Sequence, residues 1–115
     1  MDERRLRRAE SQRVFDTMAV DYVDRPGVSR AAMFGSLGLK AGGRFFAFVG
    51  GEGQLVVKLP AHEASGLVEA GRATAVRAGR NPTREWVSLA WPTDGAAGEW
   101  SDVLAAAYRY AVSLT

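Results

Sequence analysis

The sequence contains no cysteine, which excludes disulfide bonds, thiol redox chemistry and thiolate metal sites within the chain. It contains one histidine, His62, so a metal site built from several histidines is excluded as well. The carboxylates are scattered along the chain, and no Asp-x-Asp-x-Asp loop supplies clustered oxygen ligands. We therefore expect no metal ion and no cofactor.

Long hydrophobic runs are also absent. No segment approaches the roughly 20 apolar residues of a membrane span, and the arginine-rich segment 4–8 is not followed by the apolar core of a signal peptide. The chain of 115 residues is long enough for one hydrophobic core and too short for two, which predicts a single domain over residues 1–115. We expect a cytoplasmic protein. Every basic residue except Lys40 and Lys58 is arginine, which is typical of a GC-rich bacterial genome.

No catalytic constellation is visible in the sequence. The glycine-rich segment 50–53 lacks the Gly-x4-Gly-Lys-Ser/Thr pattern of a P-loop and the third glycine of a dinucleotide fingerprint. We interpret it as a hairpin turn. His62 could act as a general base, but the sequence nominates no nucleophile and no orienting acid beside it, and we interpret it as a surface residue. The sequence predicts no enzymatic activity.

Apolar side chains recur at helical or strand spacing along most of the chain. The pattern predicts helices over 2–23, 61–70 and 98–114, and strands over 29–39, 44–49, 54–59, 73–78 and 85–91. Gly35 and Gly38 lie inside the first predicted strand, which indicates a bulge or a close approach of two backbones. The order α-β-β-β-α-β-β-α with hairpin-length links predicts a two-layer α+β domain, with an antiparallel sheet and helices on one face.

The most specific pattern of the chain runs from Met33 to Pro60. A Met-Phe-Gly segment at 33–35 precedes Gly38-Leu39, a phenylalanine-rich strand, a glycine-bounded hairpin and a lysine-ended strand that stops at Pro60. With a tryptophan in the later strand, this pattern resembles the TfoX N-terminal domain family. The motif residues that carry the resemblance, and that we interpret as structural, are Met33, Phe34, Gly35, Gly38, Lys58 and Trp86.

The resemblance implies a secretion-chaperone-like two-layer fold and a regulatory role through protein contacts, and it offers no catalytic residue set. The chain departs from the family pattern at three places. Ser36 stands where a second glycine is usual, Val56 where a tyrosine is usual, and Leu59-Pro60 where an aspartate often follows the strand. We expect no second domain, in contrast to the founding regulators.

Two motif segments allow a functional interpretation beside the structural one. The Met-Phe-Gly segment could line a ligand groove, and we favour core packing with a glycine that admits a neighbouring helix. Lys58 could bind an anion, and we favour a solvated residue on an edge strand that discourages aggregation.

Three hypotheses about the partners are compatible with the sequence. The leading hypothesis is a non-enzymatic regulatory module that pairs with another protein or with a second copy through a sheet face without helix cover, because the predicted strands 44–49 and 85–91 are apolar on both sides. An alternative is nucleic-acid binding through a basic face, which we rate below a solvated face; its residues are Arg72, Arg77, Arg80 and Arg84. A further alternative is a small-molecule cleft between sheet and helices near Phe34.

Overall fold

The computed structural model describes residues 3–33, 35–91 and 98–115 of the chain. In these residues the elements are α1 (Glu3–Ala19), β1 (Val28–Met33), β2 (Ser36–Ala41), β3 (Arg44–Val49), β4 (Leu55–Lys58), α2 (Ala61–Glu69), β5 (Thr74–Ala78), β6 (Asn81–Leu89) and α3 (Gly98–Ser113). The strands form one sheet in the order β1-β2-β3-β4-β6-β5, with every neighbouring pair antiparallel. The predicted two-layer α+β class is confirmed. Among the described helices, none combines the length and the apolar composition needed to cross a bilayer.

The first predicted strand is in fact two strands. β1 and β2 form a hairpin whose ladder runs from Val28 opposite Ala41 to Met33 opposite Ser36. Gly35 has φ of 83°, a left-handed conformation that glycine adopts at little steric cost, and it supplies the turn. The order of elements is therefore α-β-β-β-β-α-β-β-α, with one strand more than predicted. The expectation of core packing for the Met-Phe-Gly segment is wrong at Met33, which is half-buried, and at Gly35, which is exposed; Phe34 lies outside the described residues.

A bulge in β3 turns two consecutive residues toward the helices. In the β2–β3 ladder Leu39 faces Ala47 whereas Lys40 faces Phe45, so Phe46 has no partner of its own. Phe46 and Ala47 are both buried in the core, 1% and 0% exposed, and the Phe46 ring contacts Tyr108 of α3 at a centroid distance of 6.1 Å. The bulge explains why two consecutive residues of β3 are buried in the core.

All three helices cover the same face of the sheet. One buried cluster joins Phe15 of α1, Ala64 of α2 and Trp100 of α3 to side chains of β2, β3, β4 and β6. α2 links β4 to β5, which run in the same direction because each is antiparallel to β6. The helical stripe predicted for α3 is buried at Trp100, Val103, Leu104, Ala107 and Ala111, whereas Leu114 is 47% exposed.

The remaining differences concern element boundaries. α1 ends at Ala19, four residues before the predicted end, and Tyr22 folds back through a hydrogen bond from its N–H to the Ala19 carbonyl. β6 begins at Asn81, four residues before the strand predicted over 85–91, because the turn after β5 needs only Gly79 and Arg80. Val68 of α2 is 37% exposed.

Candidate interaction surface of the sheet

The face of the sheet opposite the helices carries an apolar strip. Across β3, β4 and β6 the residues Phe48, Val56 and Ser88 are directly paired and share one face. Their neighbours along each strand, including Val57 and Val87, point to the helices, since successive side chains alternate. Val56 is only 4% exposed and yet does not belong to the core cluster beneath the helices. We call this side of the sheet the open face.

Aromatic side chains shield one another on the open face. The rings of Phe48 and Trp86 lie 5.9 Å apart at an interplanar angle of 52°. The Lys40 ammonium lies 5.3 Å from the centroid of Phe45, within the range of a cation–π contact. Phe45, Phe48 and Trp86 are each half-buried. The strip is therefore hydrophobic, partly accessible and bordered by charge.

The charge of the described strands is strongly one-sided. They contain a single carboxylate, Glu85, and six basic residues: Arg30, Lys40, Arg44, Lys58, Arg77 and Arg84. Glu85 accepts a hydrogen bond from the Tyr110 hydroxyl of α3, so its carboxylate lies toward the helices. Lys40 and Lys58, the two lysines of the chain, lie opposite Phe45 and Trp86 in the ladders. The open face thus presents cations, Lys40 and Lys58 among them, and no carboxylate from the described strands.

Lys58 lies in the interior of the sheet. β4 pairs with β3 on one side and with β6 on the other, so the expectation of an edge residue is wrong. The side chain is 22% exposed, and Nζ lies 3.8 Å from Oε1 of Glu85. The sequence did not show this because β6 lies next to β4 in space while α2 and β5 separate them along the chain.

The predicted basic face is divided by the fold. Arg72 follows α2 and forms an ion pair with Glu99 of α3, with Nη2 and Oε2 2.6 Å apart. Arg77 donates a hydrogen bond to the Arg80 carbonyl across the β5–β6 turn. Arg84 lines a depression beneath α2. The structure brings Arg77 and Arg80 together and turns Arg72 toward an acidic partner.

Histidine and carboxylate side chains do not assemble into a metal site in the described part of the chain. His62 is exposed in the first turn of α2. Within residues 3–33, 35–91 and 98–115, no three His, Asp or Glu side chains lie close enough to hold a metal ion. The hydrogen bond to Glu85 raises the pKa of Tyr110 above its ordinary value, which keeps the phenol protonated.

Comparisons of the chain with protein-family models, with curated proteins and with solved structures find no match.

Proposed function

We propose that this chain is a non-enzymatic protein-interaction module that binds an acidic, apolar segment of a partner protein on the open face of its sheet. The observation that carries the proposal is the aromatic strip of the open face, bordered by Lys40 and Lys58 and free of carboxylates from the described strands. Apolar surface supplies the binding free energy, and the lysines select a partner of opposite charge.

The geometry of the rings favours protein over nucleic acid. Base stacking requires an aromatic ring whose flat face is open. Lys40 lies over the ring of Phe45, and the tilted rings of Phe48 and Trp86 pack against each other. These side chains offer edges and aliphatic surface to a partner rather than a stacking platform.

The charge of the open face favours a different partner over a second copy of this chain. Two open faces packed together would place four lysines within one interface, and like charges at an interface are costly. A partner with carboxylates beside apolar residues would pair with both lysines.

The biological setting is also part of the proposal. A regulatory role rests on the resemblance of residues 33–60 to the TfoX N-terminal domain family, and we propose a bacterial, cytoplasmic protein on the same basis.

Fluorine NMR can test the proposal, because the chain has three tryptophans and only Trp86 lies on the open face. Trp91 and Trp100 pack against each other on the helical side, with centroids 5.2 Å apart. The protein labelled with 5-fluorotryptophan is titrated with an amphipathic peptide of Glu, Leu and Phe. We expect the Trp86 resonance to shift and the other two to stay.

Two variants and a second peptide separate the proposal from its alternatives. Lys40→Glu should weaken peptide binding about tenfold, equivalent to about 1.4 kcal/mol, whereas Arg109→Glu, exposed on α3, should leave it unchanged. A peptide with Gln in place of Glu should bind more weakly. The proposal is wrong if Trp86 responds to a single-stranded oligothymidylate and not to the acidic peptide. It is also wrong if Trp86 shifts with protein concentration alone, which would indicate self-association.

A further inference from the structure

A cleft opens on the helical side, between the end of α3 and the turn that joins β2 to β3. It has a volume of about 330 Å³, at the lower end of the roughly 300–1,000 Å³ of small-molecule sites. Its apolar wall consists of Phe45, Phe46, Ala111 and Leu114. The cleft lies at the Ala41 end of β2, and the cleft expected near Phe34 falls outside the described residues.

Charged and polar groups converge on this cleft. Arg44, Lys58 and Tyr110 all line it. Tyr110 donates a hydrogen bond to Oε2 of Glu85, and the Lys58 ammonium lies 3.8 Å from Oε1 of the same carboxylate. The Glu85 carboxylate therefore pairs with the Tyr110 hydroxyl and with one of the two cations of the cleft, Lys58. The other cation has no carboxylate partner there.

Arg44 is that second cation. It is exposed at the start of β3, and it forms no hydrogen bond or ion pair with any residue that the structure describes. A guanidinium offers paired N–H donors that match the two oxygens of a carboxylate. Lys58, at the facing wall, can add a second contact because its distance to Glu85 is that of a loose ion pair.

Two other cavities of similar volume lack this combination. The depression beneath α2, about 350 Å³, is lined chiefly by small side chains, with Glu69 beside Arg84. The cavity between α2 and α3, about 340 Å³, contains Glu63 and Asp102, and its one cation, Arg72, is already paired with Glu99. Neither of these two cavities has the aromatic wall that the α3 cleft joins to an unpaired cation.

We infer that the α3 cleft binds a small organic acid, a molecule with an apolar body and one carboxylate. The body contacts Phe45, Phe46 and Leu114, and the carboxylate lies between Arg44 and Lys58. The modest volume fits an aromatic acid or a short fatty acid. The cleft shares Phe45 and Lys58 with the open face proposed to dock a partner protein. Arg44 lines only the cleft and Lys40 lies only on the open face, so Arg44→Gln and Lys40→Glu test the two proposals separately.

Calorimetry with matched probes tests the inference. The probes are 4-phenylbutyrate, octanoate and the neutral 4-phenylbutyramide. We expect the two acids to bind and to raise the melting temperature at millimolar concentration, since a ligand of the native state stabilises it. We expect the amide to bind at least tenfold more weakly, because it cannot pair with either cation.

Two variants locate the site. Arg44→Gln should weaken the binding of 4-phenylbutyrate about tenfold, and its exposed position at a strand end leaves the fold intact. Arg13→Gln, exposed on α1 and away from the cleft, should bind as the wild type does. Equal binding of acid and amide, unchanged binding in Arg44→Gln, or no binding of either acid at millimolar concentration would each overturn the inference.

Discussion

The side chain of Phe48 lies directly over the backbone of Gly38, on the open face of the sheet. A Cβ atom at position 38 would lie 3.0 Å from the Cβ of Phe48 and 2.8 Å from the carbonyl oxygen of Ala47. The β3 bulge creates this close approach, because it draws the strand toward β2 just after the unpaired Phe46. Glycine at position 38 therefore allows the aromatic strip of the open face to form.

Replacing Gly38 by alanine should destabilise the fold. The added methyl group meets backbone and Cβ atoms that cannot rotate away, and such overpacking costs about 1–3 kcal/mol. Urea denaturation measures the loss. Gly66→Ala is the matched control, because its new Cβ would lie in open space within α2 and should raise stability by up to about 1 kcal/mol. A Gly38→Ala protein as stable as the wild type would contradict the close approach.

The same glycines show what the sequence could predict about the fold. Gly38 and Gly35 marked an irregularity, and the class, the layer arrangement and the apolar stripe of α3 followed from periodicity. The β1–β2 hairpin did not follow, because β-type residues continue on both sides of Gly35 and no polar turn residues separate the strands. One glycine inside such a run is compatible with a bulge as well as with a turn.

The α3 cleft was not predictable from the sequence. Tyr110 and Glu85 are 25 residues apart, and Lys58 meets Glu85 only because β6 inserts beside β4. These contacts form only when α3 packs on the sheet, and the local spacing of residues in the sequence does not predict that packing. The open face was anticipated from strands that are apolar on both sides, but the position of both lysines on it required the register of the ladders.

A hydrogen bond from Ser36 joins the start of β2 to the end of β3. The residue is 8% exposed, and its hydroxyl donates a hydrogen bond of 3.0 Å to the Val49 carbonyl. Ser36→Ala removes this donor and should lower the free energy of unfolding by about 1 kcal/mol. Urea denaturation of Ser36→Ala is compared with that of Ser101→Ala, an exposed site on α3. Equal stability of both variants would show that the Ser36 hydrogen bond contributes nothing.

Arg30 joins α1 to the β1–β2 hairpin. Its Nη2 lies 2.9 Å from Oδ1 of Asp16 and donates to the Leu37 carbonyl at 2.7 Å, and its guanidinium lies 5.5 Å from the ring centroid of Phe15. Arg30→Met should lower stability by about 1.5–3 kcal/mol, the range for hydrogen bonds to charged groups. Arg30→Lys should recover little of this, because an ammonium cannot reproduce the planar fork.

A double-mutant cycle isolates the ion pair of Arg30. The loss from Asp16→Asn should be smaller in the Arg30→Met background than in the wild type, with a coupling of about 0.5–3 kcal/mol. Exposed Arg13→Met, on the same helix as Asp16, should change stability by less than about 0.5 kcal/mol. Additive losses from the two substitutions would show that the ion pair with Asp16 contributes nothing to the effect of Arg30.

Alkaline pH should weaken the fold through its tyrosines. The hydrogen bond to Glu85 raises the pKa of Tyr110 above the ordinary value of 10.0, and burial raises the pKa of Tyr22. A raised native pKa means that the unfolded state loses its proton first, so the stabilisation is complete below pH 10 and is lost as pH rises through the native pKa. In urea denaturation across this range, the advantage of the wild type over Tyr110→Phe should therefore shrink above pH 10. A constant difference between the two proteins would show that the phenol of Tyr110 titrates alike in both states.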